Sequence, residues 1–188
     1  MLPPTPPWDG LHPLVIHFPI ALLLVAPLFV ALGAIFTPGR WGFPLAALLL
    51  MALGTIAAYV AVSTGEATAQ YVERSEAIDP VLHAHQRFAE QTRTAFSVLT
   101  LVYAGVLFIP LLLKKELGRR PALALNGIFL AAYMGASLLV VNTGHLGGRL
   151  VHEFGVVSMY SEESARQADL PEDTAESAQY ASTTEAGG

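Results

Sequence analysis

Four apolar runs, each long enough to cross a bilayer, decide most of what this chain can become. They run from about Leu14 to Phe36, Trp41 to Thr64, Thr94 to Leu113, and Pro121 to Val141. A hydrocarbon core needs roughly 20 helical residues to span it. No water is present there, so each run must close its backbone hydrogen bonds within itself, as a helix. The breaks are TPGR after the first run, EATAQYVERSEAIDP after the second and KKELGRR after the third. Pro80 and Pro121 suit first helical turns, which starts the third helix near Val81, well outside the lipid. An even number of spans joined mostly by short connections predicts an all-α polytopic membrane protein, an antiparallel four-transmembrane-helix bundle. Composition agrees: 13% of residues are charged and 53% apolar, against about 25% charged in a soluble domain.

The flanks divide the chain further. Residues 1–10, MLPPTPPWDG, are read as an N-terminal tail without the basic n-region of a signal peptide, so the first run is a retained span. Residues 11–157 form the four-span domain. Residues 158–188 are an acidic tail of Ser, Glu, Ala and Thr with few large apolar groups, expected to be disordered. The net charge of −5 comes largely from that end and gives no reason to invoke nucleic acid. Arg40, Lys114, Lys115, Arg119 and Arg120 crowd the two short loops. The positive-inside rule places those loops in the cytoplasm and both termini outside. Arg74, Arg87, Arg93 and Arg149 lie on the other side, but are spread along it.

All six histidines, His12, His17, His83, His85, His145 and His152, fall at the outer ends of the first, third and fourth spans. Depth follows from counting back from each span's cytoplasmic end at about 1.5 Å per residue. His12, Glu66, Glu90 and His145 each lie 23 to 25 residues away, with His17 somewhat deeper and His85 and His152 further out. Every span therefore brings an imidazole or a carboxylate to one rim. His83 and His85 are two residues apart and diverge, so at most one faces the bundle easily, and His12 and His17 also diverge. His145, Arg149 and His152 share a helical stripe if the helix continues through Gly147 and Gly148. Gly54, Ala58, Ala61 and Gly65 form a small-residue stripe leading to Glu66, and Gly144, Gly147 and Gly148 surround His145. Such stripes allow close helix packing, or room for a flat macrocycle.

The segments LHPLVIHFPIALL and NTGHLGGRLVHEFGV carry a resemblance to the bacterial family called domain of unknown function 2231, over roughly Leu11 to Val157. The resemblance implies a four-helix membrane protein without an established activity. It also implies a bacterial inner membrane and a respiratory setting, with a c-type cytochrome or other respiratory subunit as a partner beside the lipid bilayer. The family's histidine positions match His12, His17, His85 and His145, while His83 and His152 match less closely.

Two imidazoles from facing helices can hold a b-type haem without cysteine, for electron transfer. The absence of cysteine excludes a covalent c-type haem in this chain, as well as disulfides. The candidate haem-binding residues are His12, His17, His85, His145 and His152, with Arg149 available to a propionate. By depth, His12 pairs with His145 and His85 with His152. The alternatives are a bare zinc, iron or copper ion on His17, His85, His145 and Glu66, or a non-catalytic scaffold with its rings at the water boundary. A transporter is disfavoured by the absence of a polar cytoplasmic half. No catalytic residue is assigned. The expectation is one cavity faced by His17, His85 and His145, with His12, Glu66 and one arginine nearby.

Overall fold

The first span opens with a break in its helix. In the computed structural model, which describes residues 6–36, 41–114 and 118–156, a 3-10 turn over Trp8–Gly10 leads into a four-residue helix, α1 (His12–Val15). After Ile16 the chain continues as α2 (His17–Ile35). Pro13 and Pro19 flank that junction: Pro13 sits in the first turn of α1, where no donor is needed, and Pro19 leaves the Val15 carbonyl without its helical donor. The remaining spans are single helices: α3 (Gly42–Ala69), α4 (Ile78–Leu112) and α5 (Arg119–His152). Four segments thus have the length and apolarity to cross a membrane. Arg40, Lys115 and the tail from residue 157 on lie outside the described residues.

α2 packs on α3, α3 on α4, α4 on α5, and α5 back on α2, closing a four-helix antiparallel ring. Apolar burial gives helices in lipid little reason to associate, so close packing and polar contacts must hold the ring. Gly54 supplies the first: a Cβ there would lie 2.7 Å from Leu23 Cδ2, so any side chain would force the buried Leu23 to shift. Mid-bundle, Leu23, Val30, Met51, Phe96, Tyr103, Phe129 and Tyr133 form the core. Tyr103 stacks on Phe129 at 4.9 Å, and Phe96 meets Tyr133 edge-on at 5.1 Å. Pro27 sits inside α2 and has no N–H to offer the Leu23 carbonyl one turn earlier. The buried Tyr133 hydroxyl of α5 donates to that carbonyl at 2.8 Å. The orphaned acceptor is thereby satisfied across the bundle.

The α3/α4 seam is polar. Thr55 and Thr100 share a hydrogen bond of 3.1 Å, Tyr59 and Ser97 one of 3.3 Å, and the Arg93 guanidinium lies over the Tyr59 ring at 5.1 Å. At the end carrying the histidines, Ala69, Val81, Leu82 and Leu150 make a second, smaller core. The Thr68 hydroxyl donates to the Asp9 carbonyl and ties the N-terminal turn to α3. Lys114, Arg119 and Arg120 lie exposed at the opposite end of the bundle.

Candidate functional site

Between the two cores lies a cavity of about 560 Å³ lined by all four spans, within the roughly 300–1,000 Å³ range of cofactor sites. Its deep wall is apolar, with Ile20, Leu23, Ala58, Val62 and Val140. Its polar groups, His12, Glu66, Thr68, His85, Gln86, Glu90, Thr92, Thr143 and His152, come with the histidine-bearing ends of the helices.

His12 and His85 face each other across this space. Their ring centroids are 6.4 Å apart and their planes are nearly perpendicular, at 87°. His12 Nδ1 lies 2.9 Å from the Ala61 carbonyl, an acceptor only, so Nδ1–H donates. The same N–H lies 3.2 Å from Thr64 Oγ1, whose own hydroxyl donates back to the carbonyls of Val60 and Ala61. His85 repeats the arrangement, with Nδ1–H donating to the Thr143 carbonyl at 3.0 Å. Thr143 is braced in turn by Thr92, hydroxyl to hydroxyl at 3.2 Å. With the proton fixed on Nδ1, each neutral ring keeps its Nε2 lone pair free. Neither Nε2 is hydrogen-bonded among the described residues, and none of their half-buried polar side chains holds a sealed, unpartnered nitrogen. Each Nε2 is therefore accessible, on a residue that lines the cavity.

Two glycines make room for the rings. A Cβ on Gly65 would come within 2.8 Å of His12 Cε1, and one on Gly147 within 3.1 Å of His85 Cε1. In each case the accepting carbonyl, Ala61 or Thr143, lies four residues before the glycine. One turn of helix thus offers a carbonyl and then a bare surface, and an imidazole lies on both. The two halves of the bundle, α1–α3 and α4–α5, carry the same device.

Not every expected residue reaches this site. His12, His85, His152 and Glu66 line the cavity, whereas His17, His145 and Arg149 do not. His17 and His145 have exposed side chains, and Arg149 bonds Glu153 at 2.8 Å and lies over Phe154. The structure does not bring His17, His85 and His145 to one shared cavity; of the histidines it brings His12 and His85 face to face there. The physical reason is facing: His145 at the common depth and His17 somewhat deeper both have exposed side chains that do not line the cavity. Of the depth-based pairs, His12–His145 gives way because His145 does not line the cavity, whereas His85 and His152 both line it, and it is His12 that faces the His85 ring. The set His17, His85, His145 and Glu66 is not assembled either, and among the described residues no three metal-binding side chains cluster. His83 is exposed, so of the diverging pair it is His85 that faces inward. Sequence reasoning missed the carbonyls of Ala61 and Thr143 and the cradle roles of Gly65 and Gly147. The signal present was a glycine within each small-residue run, Gly65 at the end of one and Gly147 inside the other, but nothing in the sequence matched a glycine to a ring.

No curated protein and no solved structure matches the chain. A family model does match, over residues 9–159, which takes in both histidines, both glycines and all four spans. The chain belongs to the family described as predicted membrane protein (DUF2231).

Proposed function

We propose that this protein is a b-type haem protein of the bacterial inner membrane that carries electrons, with Nε2 of His12 and Nε2 of His85 as the two axial ligands. The observation that carries the reading is the pair of imidazoles 6.4 Å apart, each with Nδ1–H held by a backbone carbonyl. Metal-ligating histidines almost always donate their second nitrogen in this way, which fixes ring orientation and raises basicity. The spacing fits the chemistry. A nitrogen–metal bond of about 2.0 Å on each side, with each ring centre about 1.1 Å behind its nitrogen, separates two centroids by about 6.2 Å. Two imidazoles leave a bare zinc ion short of its usual four ligands, whereas haem brings four nitrogens of its own. The location at the rim away from Lys114, Arg119 and Arg120 supports an outer, periplasmic site that exchanges electrons with a c-type cytochrome or another respiratory subunit.

Full-length protein purified in detergent and supplemented with haem tests this. A low-spin spectrum whose Soret band shifts on reduction is expected. His12→Ala and His85→Ala should each abolish the low-spin form, and His83→Ala and His145→Ala should leave it. A wild-type preparation that stays colourless after supplementation overturns the proposal.

A further inference from the structure

The polar lining of the cavity is divided unequally between two opposite helix seams. On α4, Gln86, Glu90, Arg93, Ser97 and Thr100 share one stripe at helical spacing. Ser97 and Thr100 bond Tyr59 and Thr55 of α3, so this stripe faces α3. On α3, Thr55, Tyr59 and Glu66 form the matching stripe. Both cavity carboxylates, Glu66 and Glu90, therefore stand in the α3/α4 seam with Gln86. On α5, Thr143 and Gly147 meet Thr92 and His85 of α4. Gly144 and Gly148 follow them by one residue and are turned about 100° on, to the side where Tyr133 reaches α2. A Cβ at either glycine would meet nothing within 4 Å. The α2/α5 seam thus leaves room beside both glycines, has no carboxylate in its cavity lining among the described residues, and carries His152 one turn beyond Gly148.

A planar ligand held between His12 and His85 lies in the plane that separates the two helical hairpins. Its edges emerge at these two seams. Resting on the haem reading above, we infer that the ligand's carboxylate edge emerges through the α2/α5 seam beside Gly144, Gly148 and His152. Glu66 and Glu90 then face its uncharged edge. A dianionic edge placed at the other seam would meet two carboxylates, exposed at the rim, against the single cation Arg93 one turn deeper, and like-charge repulsion opposes that placement. Gly144 and Gly148 leave width for the carboxylate arms, and the His152 imidazole supplies a donor to them. No arginine is needed in the lining, and none is there among the described residues.

The test titrates full-length protein with haem and with haem dimethyl ester, which lacks the two charges, following the Soret band. His152→Glu should weaken haem binding about tenfold or more, the effect of one nearby like charge, and change dimethyl ester binding less than twofold. Ester binding also reports that the variant is folded. The double variant Glu66→Gln, Glu90→Gln should leave haem affinity within a few-fold of wild type. Equal weakening of both porphyrins by His152→Glu overturns the orientation while leaving the haem reading intact. So does a tenfold gain for haem alone in the Glu66→Gln, Glu90→Gln variant. Failure of wild type to bind either porphyrin overturns both.

Discussion

The two glycines under the imidazoles are the residues whose side-chain absence matters most to the site. A methyl on Gly65 would stand 2.8 Å from His12 Cε1 and one on Gly147 3.1 Å from His85 Cε1, so a ring or a helix must shift. Overpacking of this kind costs about 1–3 kcal/mol. Gly65→Ala should therefore lower thermal stability in detergent and move His12 off its carbonyl, with Gly147→Ala milder because its contact is longer. Gly127→Ala and Gly135→Ala serve as controls, since a Cβ at either meets nothing within 4 Å. Four comparable melting curves would refute the cradle. Hydroxyl bracing is unequal as well: Thr64 reaches His12 directly, whereas Thr92 reaches only the hydroxyl of Thr143.

At the scale of the helix, the strongest dependence crosses from α5 to α2. Pro27 leaves the Leu23 carbonyl without its helical donor, and the Tyr133 hydroxyl replaces that donor. Tyr133→Phe should destabilise the protein by about 1–3 kcal/mol, the cost of stranding a buried acceptor. In a Pro27→Ala background the helix supplies its own N–H, so the same change should cost clearly less. A double-mutant cycle on thermal or denaturant unfolding measures the difference, and strict additivity would show that the two residues are not coupled. Helix limits were legible only in part. The prolines marked starts well: α4 and α5 each begin two residues before Pro80 and Pro121. Ends were less visible, because hydropathy marks where lipid stops and not where the helix does. α5 accordingly runs past Val141 to His152, through three glycines.

For the whole molecule, the closed ring puts α2 diagonally across from α4 and α3 across from α5. Each hairpin places a histidine near the start of its first helix, against a glycine near the end of its second. The two rings consequently meet near the bundle axis, at the end where the α3–α4 turn also lies. Topology follows from the same arrangement. Single cysteines at Glu73, in that turn, and at Arg119, at the opposite end, should label from opposite sides of the membrane. With the basic loops in the cytoplasm, Glu73→Cys reacts from outside in intact cells and Arg119→Cys only after permeabilisation. The reverse pattern would invert the orientation and put the site on the cytoplasmic side.

The sequence by itself determined the number of spans, their helical form and the gathering of histidines at one rim. All three depend on what bilayer thickness and unpaired backbone groups allow along a single chain. It also carried the family resemblance, in the segments around His12, His17 and His145. Only the tertiary structure decided which rings meet. Depth along a helix can be counted in residues, but which way a ring faces depends on how each helix is rotated against its neighbours. Small residues at Gly54, Gly65 and Gly147, and a break at Ile16 that sets α1 apart from α2, fix the helix and ring packing here. His17 and His145 share the rim with exposed side chains that do not line the cavity, while His12 and His85 turn inward because a carbonyl and a bare glycine surface await each of them.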